Sequence, residues 1–394
     1  MRGRLIRKTW KSDPGLYAPP KYRRSCAYDA FIPDPLSGSD WPLPGEVAGV
    51  ISDAESAIAE LNAKGGPELM PLARLLLRTE SIASSKVEGM QIDARTLARA
   101  EARQEAGASI GSEAAEILAN VDAMQLAIEQ ASLPKGVDLQ DLLDIHRVLL
   151  ARDSRLTPGQ LRYRQNWIGG NNHNPCGADF VPPPPEELDP LLDDLIRFCN
   201  EETLPPLVQA AIAHAQFETI HPFEDGNGRT GRALVQVTLR RRGLAPAFVP
   251  PISVVLAREK DRYIAGLRRF RDDEVAEWLE IFAVAAANAA HLAARYTARV
   301  AALQDRWRQR LKEGPDPRAD AVAWTIINLL PGHPVITVPV AVAVTRRTKP
   351  AVTNAFDDLE AAGVLVPLSS STRNRAWEAD GLLDLVVGLE SGAD

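Results

Sequence analysis

The sequence has little cysteine, no excess of positive charge, no long apolar run and no internal repeat. Its three cysteines, Cys26, Cys176 and Cys199, form no C-x-x-C pair and leave at least one thiol unbonded. That excludes a disulfide scaffold and fits a reducing compartment, with Cys176 read as a loop thiol. Lysine and arginine number 45 against 52 aspartates and glutamates, a formal net charge of −7. A chain this acidic is not built to coat nucleic acid or an anionic membrane. The longest uncharged apolar stretch, residues 281–294, covers 14 positions and is interrupted by Asn288 and His291. It is too short to span a bilayer. The opening string MRGRLIRKTWKSDPG lacks the apolar segment of a secretory signal. The expectation is a cytoplasmic protein with no membrane partner.

What is present is the balance of an ordinary globular protein, 45% hydrophobic and 25% charged over 394 residues, a length that suggests two or three domains. Thirty prolines and 26 glycines punctuate it. Residues 1–45 read as irregular, turn-rich chain whose aromatics pack onto the body. From Gly45 to about Ala108 the pattern is helical, with Leu69, Leu72, Leu76 and Ala83 near helical spacing, Pro71 suited to a first turn and Gly89 to a cap. Two amphipathic helices follow over 112–133 and 138–151. Residues 165–185, QNWIGGNNHNPCGADFVPPPP, have short apolar pairs around a Gly/Asn turn and read as a β-hairpin or flap. Helices resume over 186–202, 205–220 and 229–243, and a long one covers about 273–312. The fold class expected is mainly α. An N-terminal helical region over 1–110 and a helical core with a β-hairpin flap over 111–312 are followed by a small domain at 317–385. The last segment reads helix, turn, helix and two short strands around the tip 369–374, a winged-helix pattern.

The chemistry concentrates in one string, Thr219-Ile-His-Pro-Phe-Glu-Asp-Gly-Asn-Gly-Arg-Thr-Gly-Arg232. Gly226, Gly228 and Gly231 have the spacing of a dinucleotide fingerprint, and Gly226 and Gly231 that of a P-loop. Neither fits its context, since a helix precedes the string and Arg232-Ala233 replaces the P-loop Lys-Ser/Thr. What survives is a glycine-rich turn running into a helix start, which presents backbone N–H groups and a positive dipole end to an anion. Asn227, Arg229 and Arg232 add donors suited to a polyphosphate. Asp225 would repel that anion unless Mg²⁺ lies between them. Pro222 pushes His221 out of helical geometry, where it can act as a general base. Phe223 serves as the apolar anchor of the loop. The bland alternative is a helix–loop–helix turn with solvated charges.

The string His221-x-Phe223-x-Asp225-Gly226-Asn227-Gly228-Arg229-x-x-Arg232 resembles the Fic (Fido) signature at every specified position, and the likeness covers roughly residues 20–310. The resemblance implies a helical Fic core that transfers AMP from ATP to a Ser, Thr or Tyr hydroxyl of a target protein. In that reading His221 deprotonates the hydroxyl, Asp225 holds Mg²⁺, Gly226, Asn227 and Gly228 cradle the phosphates, and Arg229 and Arg232 bind the outer ones. Gly228 departs from phosphate-transferring relatives, which carry lysine there. Upstream, Ser84, Glu88 and Gly89 match the family's inhibitory motif, which implies that Glu88 reaches Arg232 and blocks the γ-phosphate. Helix physics alone places Glu88 in solvent near Lys86, because a carboxylate is unfavourable at a helix C-terminus. Removal of AMP as the main activity stays open. The flap is expected either to align the target by strand addition or merely to cover the site.

Between residues 316 and 380 six basic residues face seven acidic ones, and the second helix carries Asp357, Asp358 and Glu360. Arg346, Arg347, Lys349, Arg373 and Arg375 could contact phosphates. A DNA-binding regulator with a nucleotide-sensing core is therefore the competing class, while dimerisation or target docking explains the charge better. His214 reads as a core residue, His173 lies in the flap, and His146, His291 and His333 show no metal-ligand spacing.

Overall fold

The computed structural model describes residues 2–63, 70–105, 107–153, 156–368 and 375–391. Leu69 and the tip 369–374, with Arg373, lie outside them. The chain begins with strands β1 (Gly3–Trp10) and β2 (Cys26–Pro33). Helices α1 (Gly45–Ala63), α2 (Met70–Val87), α3 (Ala94–Glu105), α4 (Ser112–Ala131) and α5 (Leu139–Leu149) follow. After the flap come α6 (Leu188–Cys199), α7 (Pro206–Ile220), α8 (Asn227–Arg241), α9 (Ile252–Arg258), α10 (Lys260–Arg271) and α11 (Val275–Glu313). The C-terminal part holds α12 (Val322–Leu329), β3 (Val335–Thr337), α13 (Val338–Thr345), α14 (Lys349–Ala361), β4 (Leu365–Pro367), β5 (Ala376–Ala379) and α15 (Leu382–Ser391). The protein is mainly helical, as expected. No helix among the described residues is long and apolar enough to cross a membrane.

The chain divides into two compact units. The first comprises residues 1–55, 123–244 and 259–284. Its centre is α7, buried from Leu207 to Ile220, which explains why the helix carries no solvent-facing polar stripe. The Trp278 indole donates to the Ala211 carbonyl of α7 at 3.0 Å, and His214 is fully buried with Nε2 2.8 Å from the Tyr263 hydroxyl. The start of α5 is set by a capping box in which Asp138 and Asp141 satisfy each other's backbone N–H.

Two expectations for this unit need correction. Residues 1–45 are not all irregular, since β1 and β2 pair antiparallel from Gly3 opposite Pro33 to Trp10 opposite Cys26. The run Arg7-Lys8-Thr9 hides the period-2 signal of β1, and its partner lies beyond a turn-rich insert. Cys176 is not a loop thiol but is disulfide-bonded to Cys26, 150 residues away, which ties the flap to the start of β2. Cys199 is the buried free cysteine, its thiol pushed up to about 12 by burial. The flap itself is held by one β-bridge, Ile168 to Phe180, rather than by a long ladder. Its turn is shaped by Asn171, whose Oδ1 accepts from the N–H groups of His173 and Asn174 at 2.9 and 3.0 Å.

The second unit comprises residues 56–122, 245–258 and 285–394. One apolar core joins Leu72, Leu75 and Leu76 of α2 to Ala98 of α3, Trp307 of α11, and Ile326, Phe356, Trp377 and Leu382 of the C-terminal part. Residues 317–385 thus share their core with the N-terminal helices. Arg95 and Arg99 of α3 reach Glu378 of β5 at 2.9 and 3.3 Å. The carboxylate of Glu80 accepts from the Ser253 N–H and hydroxyl at 2.8 and 2.6 Å. The three short strands run in the order β3-β5-β4, all antiparallel. Arg375 is engaged internally, 3.1 Å from Glu360 and 4.5 Å over the Trp377 ring.

Candidate functional site

The loop between α7 and α8 is built from its own residues first. α7 ends at Ile220, and His221 adopts a left-handed backbone with φ 50 and ψ 59 while its N–H still bonds the Phe217 carbonyl at 2.9 Å. The pre-proline position disfavours the right-handed helical region, so the chain turns here. Asn227 closes the loop by accepting from the Phe223 N–H and donating to the Phe223 carbonyl, both at 2.9 Å. Gly226, at φ 78, starts α8 in a conformation that favours glycine, and a Cβ there would approach Leu149 at 3.1 Å. Phe223 is buried and stacks on the His146 ring, centroids 3.7 Å apart and planes 5° from parallel.

His146 supports the loop through a defined tautomer. Its Nδ1 accepts from the Gly159 N–H at 2.9 Å, so the proton is on Nε2, which donates to the Asp225 carbonyl at 3.0 Å. Burial lowers its pKa to about 4; the Asp225 carbonyl and charge oppose the shift and Arg229 adds to it. The imidazole is therefore neutral and acts as an uncharged clamp.

An anion would meet the first turn of α8, whose N–H groups have no carbonyl one turn back. Arg229 is 3% exposed, and among the described residues its Nε and Nη1 have no hydrogen-bond partner, while Nη2 lies 3.5 Å from Asp225 Oδ2. Arg232 is also buried. Buried guanidinium nitrogens without acceptors are costly unless a ligand supplies oxygen atoms, so the donor set fits a phosphate chain. Asn227 can contribute its backbone only, because its side chain is used within the loop. Asp225 is half-exposed and Oδ1 accepts from the Gly226 N–H at 2.7 Å. Among the described residues no group of three carboxylate, histidine or cysteine ligands gathers for a metal. One carboxylate suits Mg²⁺ only when phosphate oxygens complete the shell.

Several neighbours of this loop, and the packing role of Gly231, lie outside the sequence reading. Glu218 places Oε2 3.9 Å from His221 Nδ1. Gly231 permits the close approach of α8 to α7, since a Cβ would stand 2.9 Å from Glu218 Oε1 and 3.1 Å from His214 Nδ1. Arg162 and Asn166, at the base of the flap, both donate to the His221 carbonyl, at 2.8 and 3.3 Å. No spacing rule marks Arg162 in the string LRYRQN, which reads as surface charge. Beside the flap a cavity of about 500 Å³ is lined by Arg7, Tyr28, Phe31, Phe180, Arg268 and Arg271. The Arg271 guanidinium lies 4.0 Å over the Phe180 ring.

Ser84, Glu88 and Gly89 belong to the second unit. Ser84 is fully buried on α2, Glu88 follows the helix in an exposed turn, and Gly89 takes φ 96. The Asn120 amide donates to the Ser81 carbonyl and Ser85 hydroxyl at 2.7 and 3.1 Å, fixing this end of α2.

Residues 136–239 match the Fic/DOC family model, and residues 49–129 match that of the Fic/DOC family N-terminal region. A Drosophila yakuba protein named protein adenylyltransferase Fic is 29% identical over 202 residues, which are 50% of this chain and 38% of the relative. A Caenorhabditis elegans protein named protein adenylyltransferase fic-1 is 33% identical over 117 residues, 29% of this chain and 21% of the relative. The matched part of this chain thus spans less than two-fifths of these relatives. Among solved structures, a Fic family protein from Desulfovibrio desulfuricans G20 superposes with a TM-score of 0.52 at 21% identity, covering 86% of this chain and 98% of the other. A Fic domain containing signaling protein from Bacteroides thetaiotaomicron gives 0.51 at 22% identity, covering 62% and 95%. These two likenesses concern the fold. The loop from His221 to Arg232 lies inside the region that matches the Fic/DOC family, and the Ser84 to Gly89 motif lies inside the region that matches that family's N-terminal part.

Proposed function

We propose that the protein is an adenylyltransferase that moves AMP from ATP to a Ser, Thr or Tyr hydroxyl of a target protein. The observation that carries this is the buried Arg229, two of whose guanidinium nitrogens lack acceptors among the described residues, at the first turn of α8, eight residues after His221. The target hydroxyl attacks the α-phosphorus, its proton passes to His221, and the bond to the departing pyrophosphate breaks. Asn227 and Gly228 offer backbone N–H groups to the phosphates, Gly226 shapes the turn that lets the phosphates approach, and Arg229 and Arg232 neutralise the outer ones. Mg²⁺, when bound, would supply charge neutralisation at the leaving oxygens, with Asp225 as its protein ligand. The names of the curated relatives support this reaction class.

In the same reading the Ser84, Glu88 and Gly89 motif restrains the site, with Glu88 competing for Arg232. The flap and the cavity beside it offer an extended target segment a place to align. The C-terminal winged-helix-like part serves docking rather than DNA binding, a reading supported by the internal engagement of Arg375.

Incubation with α-labelled and γ-labelled ATP tests the reaction. Label is expected on protein from the α position only, absent in His221→Ala and increased several-fold in Glu88→Gly. Protein label from γ alone would sink AMP transfer. Equal labelling in wild type and Glu88→Gly would remove the restraint.

A further inference from the structure

His221 holds a backbone conformation that its own sequence does not favour. A left-handed φ is costly for any residue bearing a Cβ, and such geometry persists only where the surroundings over-determine it. What surrounds it here is unusually complete. The four consecutive carbonyls of Ile220, His221, Pro222 and Phe223 each accept a hydrogen bond from Arg162 or Asn166. Arg162 gives its backbone N–H to Pro222 at 2.9 Å, Nε to His221 at 2.8 Å and Nη2 to Ile220 at 3.3 Å. Asn166 Nδ2 reaches His221 at 3.3 Å and Phe223 at 3.0 Å.

Arg162 is 3% exposed, and among the described residues no carboxylate forms an ion pair with it. Its remaining bonds also go to carbonyls, those of Arg164 and Pro183, the latter on the returning side of the flap. Burial draws its pKa down to about 10, and the charge of Glu186 opposes that shift. Burying a cation among neutral acceptors is expensive. Only a fork of several fixed donors can serve carbonyls that point in different directions, which a lysine ammonium does less well.

We infer that Arg162 and Asn166 are positioning residues that hold His221 in its left-handed backbone conformation and thereby aim its imidazole at the reacting hydroxyl. The inference rests on the reading of His221 as the general base. Because both residues stand at the base of the flap, the same bonds join flap and histidine into one body. Gln165 strengthens that join, its Nε2 donating to the Pro182 carbonyl at 2.9 Å.

The test combines kinetics with structure on the full chain. Asn166→Ala, Arg162→Lys and Arg162→Gln are compared with wild type for transfer from α-labelled ATP. Crystal structures of wild type and of the first two variants give φ at residue 221. A misaimed base costs on the order of 10- to 100-fold in rate. That loss is expected in kcat for Arg162→Gln, with the KM for ATP within about twofold, partial recovery in Arg162→Lys, and a φ at 221 that has left the left-handed region in Asn166→Ala. Asn166 is half-buried, so Asn166→Ala keeps the test open where Arg162→Gln fails to fold. His221 still near its present φ in both crystallised variants, or losses of kcat that only follow melting temperature, would overturn the inference. A wild-type chain that transfers no label refutes the adenylyl-transfer reading, whereas the φ values judge the positioning itself.

Discussion

Acidification should destabilise the first unit through His146. In the folded protein its Nδ1 is occupied by the Gly159 N–H, and burial holds its pKa near 4, against about 6.5 in an unfolded chain. Above pH 6.5 both states carry a neutral imidazole, so His146 adds no pH dependence there. Between pH 6.5 and 4 the unfolded state binds a proton that the folded state refuses, so stability falls as pH falls. The slope is about 1.4 kcal/mol per pH unit, and over about 2.5 units the loss reaches about 3 kcal/mol. That is a large share of the ~5–15 kcal/mol that holds a typical domain. Below pH 4 both states are protonated and the loss levels off. Two measurements check this. The carbon-bound ring protons of His146, followed by NMR, should not titrate until pH is near 4. Urea unfolding at pH 7.0, 6.0 and 5.0 should show a stability loss between pH 6.0 and 5.0 that is smaller by about 1 kcal/mol in His146→Asn, with a lesser difference between pH 7.0 and 6.0. A His146 midpoint near pH 6.5, or an unchanged slope in the variant, would refute the neutral-clamp argument.

Two further predictions concern packing and the flap. Gly231→Ala places a methyl group 2.9 Å from Glu218 Oε1 and 3.0 Å from the Phe217 ring, so unfolding should be easier by about 1–3 kcal/mol. Because Glu218 also lies by His221, labelling from α-labelled ATP should fall as well; wild-type stability and labelling in this variant would count against the close α7–α8 packing. The Cys26–Cys176 bond closes a loop of 150 residues, for which chain entropy sets a stabilisation of at most about 5 kcal/mol. Adding dithiothreitol, or replacing both cysteines with serine, should speed amide exchange over residues 169–180 and lower the thermal midpoint. Identical exchange with and without reductant would show that non-covalent contacts alone hold the flap.

Much of the helical architecture is legible from the chain because long periodic segments declare themselves. The helix expected over 205–220 is observed as Pro206–Ile220, and the one over about 273–312 as Val275–Glu313. Helices α9 and α10 went unread because prolines 250 and 251 and the charged run 258–262 mask their short apolar faces. The N-terminal hairpin escaped for a different reason. Strand pairing is a non-local property, and the alternation in β1 is broken by Arg7 and Lys8. The disulfide is equally invisible, since three cysteines alone specify no connectivity. The shared core of residues 317–385 and the N-terminal helices also depends on packing between segments some 250 residues apart, which no local pattern encodes.

The site divides along the same physical line. Groups that touch phosphate or proton must converge on one small volume, and a helix start preceded by a tight loop supplies that convergence from consecutive residues. Those residues, His221 to Arg232, can be read from sequence because their chemistry is unusual in so short a string. The groups that hold the loop face a different requirement: they must reach backbone atoms from outside it. His146 comes from α5 to the Asp225 carbonyl, while Arg162 and Asn166 come from the flap base to the carbonyls of 220–223. Backbone carbonyls carry no sequence signature, so their partners carry none either. Asn227 sits on both sides of the line. Its position in the motif suggests ligand contact, yet its side chain is spent on Phe223, which leaves its backbone N–H at the start of α8 as the group the proposed reading can use. A residue type within a motif therefore identifies a place in the site more reliably than it identifies which of that residue's atoms does the work.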